Sequence, residues 1–338
     1  MYRFYRVCVG HWITSNAGRN SLISTLNTTT IAARENSYDT IRPRRAILYV
    51  PGHDRRKIEK LHSLKLDCAV LDCEDGVAVN KKSEARRVIS EIASTHNFGK
   101  TEFAVRINSL DSGLAGDDLD EILTSKKIPD TLMVPKVDSV KHVEWINDTL
   151  KVHWKSLNLQ NKISLILFIE TAKGLLDLRK ICERAVNLSQ DSIFRFEGLV
   201  FGSDDFCADI GATRSEDAVE VLTARQIIVF TSKAFRLQAI DMVYINYKDL
   251  IGLAKSAKEG ADMGFTGKQV IHPSQVTVVQ KAFYPSPEKI AWAKELITLF
   301  KRHQKDGKGA FNFRGSMIDK PLLLQAENIV KVTESLDE

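Results

Sequence analysis

The sequence predicts an α/β fold, a (β/α)8 TIM barrel with a C-terminal helical extension. Three observations predict it. Eight short apolar runs recur between Ala46 and His272. Helix-patterned segments separate them, as βαβ units with parallel pairing require. Polar residues, many of them charged, stand at the end of nearly every run, where barrel enzymes place their chemistry. A doubly wound open sheet is the alternative. It usually has fewer strands or a phosphate-binding glycine fingerprint.

Taken in order, the strand candidates are 46–50, 68–72, 103–108, 131–137, 164–170, 198–202, 239–246 and 264–272. Short continuous apolar runs suit strands buried on both faces. Helical patterns fill 55–64, 81–94, 116–126, 139–155, 174–185, 216–237 and 248–263, and a last one, 287–303, lies beyond the eighth strand. The expected organisation is a leader over 1–42, a barrel over 43–284 and an extension over 285–338. The extension contains a Gly-bearing stretch and a terminal helix that a barrel does not need. It reads as a lid or as an arm reaching a neighbouring subunit.

Composition sets the outer limits. With 338 residues, 43% hydrophobic and 27% charged, the chain suits one barrel plus additions. No apolar run approaches the roughly 20 residues that span a bilayer, so no membrane role is expected. Five cysteines without CxxC spacing read as reduced thiols in an intracellular compartment. Residues 1–45 hold seven Arg against two acids, which is the whole of the net +5. The remainder is neutral, with 41 basic and 41 acidic residues, so nucleic acid is not an expected partner. The leader is Arg-rich, Ser-rich and acid-poor before Glu35, the composition of a transit peptide.

The chemistry centres on SLILFIETAKGL at 164–175 and GLVFGSDDFCAD at 198–209. Each apolar run ends on acids: Glu170 in the first, Asp204 and Asp205 in the second. Two acids at matching ends of consecutive strands suit one hard cation, because Mg²⁺ takes one or two carboxylates plus water and substrate. The competing reading is that each acid caps the next helix. Around them fall Tyr49, His53, Asp72, Glu74, Asp75, Arg106, Asn108, Lys136, Asn246 and His272. Arg106 lies inside the apolar strand FAVRIN, where an unpaired charge is costly. It either pairs with Glu74 or Asp75, or clamps an oxyanion or carboxylate with its forked donors. Arg55, Arg56, Lys57 and Lys60 form a basic cluster at the rim, either a solvated helix face or a contact for nucleotide phosphates. The stretch 264–269 is not a P-loop, because its spacing is short and Gln269 replaces the hydroxyl residue.

RAILYVPG, VLDCEDGV, VRIN, LMVPKV, FIETAKGL, VFGSDDF and GKQVIHP occur in this order. Together they resemble the citrate lyase β-subunit/HpcH–HpaI aldolase family over about residues 42–284. The tail GKGAFNFRGSMIDKP and the basic leader are similar to its mitochondrial branch. The resemblance implies a homotrimer of barrels in the mitochondrial matrix. It implies Mg²⁺ held by Glu170 and Asp205, and acyl-CoA and acid substrate bound by Tyr49, Arg56, Lys60, Arg106, Ile271 and His272. Asp319 takes the position of the catalytic acid/base, and Arg106 stabilises the developing enolate. The expected reaction is cleavage of (3S)-citramalyl-CoA to acetyl-CoA and pyruvate. Malyl-CoA thioesterase, malate synthase (with glyoxylate) and β-methylmalate synthase activities accompany it. Two other readings stand beside it: an aldolase on free hydroxy-keto acids, and a non-catalytic barrel that binds metal and CoA.

Overall fold

A computed structural model describes residues 42–157, 162–305 and 310–337. The expected leader, apart from Arg42, lies outside the described residues, as do Gly307, Lys308 and Gly309 of the tail. Eight parallel strands form a closed barrel in chain order. They are β1 (Ala46–Pro51), β2 (Cys68–Asp72), β3 (Glu102–Arg106), β4 (Thr131–Val134), β5 (Ile163–Ile169), β6 (Phe194–Phe201), β7 (Gln238–Asp241) and β8 (Gly267–Val270). Closure comes from β8 pairing with β1, Ala46 opposite Lys268 and Leu48 opposite Val270.

Both faces of the strands are buried, which is why the runs read as continuously apolar. Side chains alternate between two cores along each strand. Ile47, Val70, Ala104, Met133, Ile166, Phe168, Val200 and Ile240 fill the barrel interior. Leu48, Leu71, Val105, Leu132 and Leu167 pack outward with the helices. At Gly267 an added Cβ would fall 1.8 Å from the Arg44 carbonyl oxygen, so the start of β8 admits no side chain.

Six of the eight strands, β3 to β8, end earlier than expected. β4 stops at Val134, and two residues on, Lys136 adopts a left-handed conformation (φ 55) that no strand can continue. β7 stops at Asp241, because it pairs with β8 only through Ile240 and Asp241. The expected helix 55–64 divides into Arg55–Glu59 and a 3-10 turn at Lys60–Ser63, and 216–237 opens with a 3-10 turn at Val219–Val221 and is α-helical over Leu222–Ala234. The sequence reading missed the helices Ser203–Ile210 and Pro273–Ala282. The second is the barrel's eighth helix. His272 caps it, with Gln275 closing a capping box and Pro273 in the first turn.

The extension comprises the helix Pro287–Lys305, a hairpin of β9 (Phe311–Phe313) and β10 (Ser316–Ile318), and the helix Lys320–Asp337. Arg314 and Gly315, both at positive φ, make the two-residue turn that suits a hairpin. Leu296, Phe300, Phe311, Phe313, Ile318 and Ala326 give the extension its own small core. An ion pair from Lys289 to Asp262 (3.9 Å) joins it to the barrel wall. The four cysteines among the described residues are free and buried. No helix among the described residues is long and apolar enough to cross a membrane.

Candidate active site

The site grows from the register of β2 and β3. Asp72 and Arg106 end these strands opposite each other. The Arg106 guanidinium grips the Asp72 carboxylate with two bonds of 2.7 Å. Its remaining nitrogen lies 2.8 Å from Glu74 and 3.6 Å from Asp75. Arg106 therefore pairs most closely with Asp72, a partner the sequence reading did not name. Burial alone would raise the Asp72 carboxyl. The Arg106 charge and the N–H groups of Glu74 and Gly76 outweigh it and hold Asp72 below the usual carboxylate range. The guanidinium also lies over the rings of Tyr49 (5.0 Å) and Phe168 (5.7 Å), which fix it from the interior side.

The next strand ends bring more acid than base. Glu170, 3% exposed, follows β5 and accepts the Lys136 N–H at 2.7 Å. Its other oxygen presses on Gly202, where an added Cβ would come within 2.3 Å. Burial, then the charges of Glu74 and Asp205, push the Glu170 carboxyl up to about 8 against the pull of Arg106. Burial and Asp75 likewise push Glu74 up to about 7, despite Arg106 and Lys136. The Lys136 ammonium reaches Glu74 (3.2 Å), Asp205 (3.7 Å) and Asp75 (3.8 Å). Asp204 and Asp205 open the helix Ser203–Ile210, and the structure separates their roles. Arg214 holds Asp204 at 3.0 Å, whereas Asp205 faces Lys136 and the Glu170 cluster.

This donor set fits Mg²⁺. All its candidate ligands are oxygens, and a buried carboxyl raised so far, despite Arg106, has less positive charge around it than its acidic neighbours require. Among the described residues no three His, Cys, Asp or Glu side chains converge as a full cage. Glu170 and Asp205 would hold the ion as a pair, leaving the other positions to substrate and water.

The remaining expected residues ring this centre or lie apart from it. The Tyr49 hydroxyl is buried without a hydrogen-bond partner among the described residues, so it remains available to a ligand. Burial pushes its pKa well up, which keeps it a donor. In the basic cluster, Arg55 pairs with Glu91 and Lys57 with Asp54. Arg56 and Lys60 are exposed and have no ion-pair partner among the described residues. Ile271 is 42% exposed, and the N–H groups of Ile271 and His272 both donate to Gln275. The His272 ring stacks on Tyr247 at 4.7 Å, a contact with no local sequence signal. Asp319 stands apart, exposed at the start of the last helix. Its carboxylate has no ion-pair partner among the described residues, and its main-chain oxygen accepts from Leu323. A groove of about 860 Å³ lies between the segments that follow β3, β4 and β5, with His142, Trp145 and Lys173 in its lining and none of the clustered acids.

Comparison with known proteins agrees with this architecture. The family profile of HpcH/HpaI aldolase/citrate lyase matches residues 45–273. The mitochondrial citramalyl-CoA lyase of Rattus norvegicus is 53% identical over 296 residues, 88% of each chain. A (3S)-malyl-CoA thioesterase of Cereibacter sphaeroides is 28% identical, over 87% of this chain and 96% of that one. Among solved structures, CitE from Mycobacterium tuberculosis in complex with magnesium, acetoacetate and coenzyme A superposes with a TM-score of 0.70. It is 27% identical, over 87% of this chain and all of that one. With its profile match across the barrel and a relative more than half identical over most of its length, this chain belongs to the HpcH/HpaI aldolase/citrate lyase family.

Proposed function

We propose that this chain is a Mg²⁺-dependent carbon–carbon lyase that cleaves (3S)-citramalyl-CoA to acetyl-CoA and pyruvate in the mitochondrial matrix. The observation that carries the reading is Glu170, a buried carboxyl pushed up to about 8 with Asp205 beside it at the barrel mouth. Support comes from the 53% identity to a mitochondrial enzyme named for this reaction, and from a structural relative holding magnesium and coenzyme A.

Bound by Glu170 and Asp205, Mg²⁺ would supply Lewis acidity to the 2-hydroxy acid end of the substrate. The chain's own residues do the rest. Arg56 and Lys60, free of ion-pair partners among the described residues, meet the phosphates of CoA. Tyr49 donates its hydroxyl to the bound ester. Asp319, brought by the extension of a neighbouring copy in a homotrimer, takes the proton of the substrate hydroxyl. That carbon becomes the ketone of pyruvate as the carbon–carbon bond breaks. The electron pair passes to the thioester as an enolate, whose oxygen faces Arg106, and protonation of the enolate carbon gives acetyl-CoA. In reverse, the same residues would condense acetyl-CoA with glyoxylate to malyl-CoA; attack of water on its thioester carbonyl, with the CoA thiol leaving, would then give malate.

The test is a product assay with the purified chain, Mg²⁺ and, separately, citramalyl-CoA, malyl-CoA and a free 4-hydroxy-2-keto acid. Acetyl-CoA and pyruvate in equal amounts from the first, with little cleavage of the free acid, is expected. Preferential cleavage of the free acid would replace this reading with an aldolase, and no cleavage of any would leave a binding barrel.

A further inference from the structure

Lys136 does two things at once in the site, and neither follows from its being a lysine at a strand end. Its backbone sits at φ 55, a conformation that L side chains other than Asn and Asp rarely adopt. From that conformation its N–H points at Glu170 and donates at 2.7 Å. Its ammonium lies 3.2 Å from Glu74 and 3.7 Å from Asp205. The residue thus touches both acids of the proposed metal pair, one through the main chain and the other through the side chain. The strained backbone is held by its surroundings: the next residue, Val137, is fully buried and donates its N–H to the Phe168 carbonyl of β5 at 3.1 Å. Strain kept at a site in this way is a common mark of function.

We propose that Lys136 is a positioning residue acting through its main chain. The left-handed turn after β4 aims its N–H at one Glu170 oxygen, which fixes the carboxylate for a divalent cation, while the ammonium restrains Glu74 and Asp205. The inference rests on the metal role proposed for Glu170. It assigns to the loop after β4 the job of setting the geometry of an acid on β5. Gly202 bounds that acid from the β6 side, where there is no room for a Cβ.

The two contributions separate by substitution. Lys136→Gly and Lys136→Asn suit the left-handed conformation and keep the N–H in place, but lose the ammonium. Lys136→Val loses the ammonium too, and its β-branched side chain opposes that backbone. Titration of MgCl2 alone into each full-length chain reads the affinity directly, and thermal unfolding in chelator checks that each is folded. The Gly and Asn chains are expected to bind Mg²⁺ within about threefold of the parent, and the Val chain at least tenfold more weakly. Should the Val chain fail to fold, Lys136→Ala takes its place, with a loss of more than threefold. A Val or Ala chain that binds like the parent, or a Gly chain that loses as much as the Val chain, overturns the inference. A parent chain that binds no Mg²⁺ overturns the metal reading of Glu170 itself, and this inference with it.

Discussion

The two ends of the barrel each carry a buried arginine among carboxylates, yet their electrostatics are opposite. At the N-terminal end, Arg44 bonds Glu102 twice at 2.6 Å, Glu197 at 2.6 Å and Gln238 at 3.0 Å. Arg42 and Arg195 join it, against Glu102, Glu197 and Asp130, so that ion-paired cluster is balanced. Burial would raise Glu102, but the charge and hydrogen bonds of Arg44 outweigh it and hold its carboxyl below the usual range. At the C-terminal end, five carboxylates (Asp72, Glu74, Asp75, Glu170 and Asp205) face two cations, Arg106 and Lys136. There Glu74 and Glu170 are pushed up to about 7 and 8. Glu102 and Glu170 are equally buried but unequally compensated, which distinguishes a structural seal from the site proposed to work.

The sharpest way to break this comparison is to remove a carboxylate from the acidic end. Glu170→Ala or Asp205→Ala takes away a proposed metal ligand and little core volume. Lyase turnover should fall by roughly 10³-fold or more, equivalent to several kcal/mol of transition-state stabilisation, with thermal stability nearly unchanged. Asp319→Asn should lower turnover by about 10²–10⁴-fold, the usual range for acid–base catalysis, with Mg²⁺ still bound. Mixed oligomers of Asp319→Asn and Glu170→Ala chains should regain some activity if the extension serves a neighbour. No recovery in verified mixed oligomers would return Asp319 to its own barrel.

The balanced end should respond in stability alone. Arg44→Met takes from buried Glu102 its two shortest bonds and leaves it only the half-exposed Arg42 at 3.3 Å and the Thr131 hydroxyl, which should cost about 3–5 kcal/mol in urea unfolding. Turnover per folded molecule should not change, and a lasting loss of activity would blur the distinction between the ends. The smallest expected effect is on acid stability. Because Glu102 is depressed in the folded chain, its contribution is complete above the ordinary carboxylate value of 4.5 and is lost as pH falls below it. Glu102→Gln should therefore flatten the acid limb of a stability–pH profile, and an unchanged limb would mean that other carboxylates set it.

How far the sequence reveals the molecule differs between these parts. Strand order and the acids after β5 and β6 were legible because buried parallel strands leave continuous apolar runs that end abruptly on polar residues. The Asp72–Arg106 grip was not, since it depends on the register between two strands. Nor was the division of labour between Asp204 and Asp205, which Arg214 decides from the loop that follows their helix. The eighth helix was missed because His272-Pro273 reads locally as a turn, although Pro in a first turn is also a helix start. Lys136 was named among the strand-end residues, but its main-chain role was not, because no sequence signal marks a lysine in a left-handed turn. Asp319 lies on an extension with its own core, so the barrel pattern says nothing of where its carboxylate acts.

The most direct test of the central claim is cleavage of citramalyl-CoA followed in excess chelator and after Mg²⁺ is restored, for the parent, Glu170→Ala and Arg44→Met chains. Parent and Arg44→Met should fall silent in chelator and recover with Mg²⁺, while Glu170→Ala stays silent in both. Acetyl-CoA and pyruvate released by the parent at an undiminished rate in excess chelator would contradict the assignment of the acidic end as a metal-dependent lyase site.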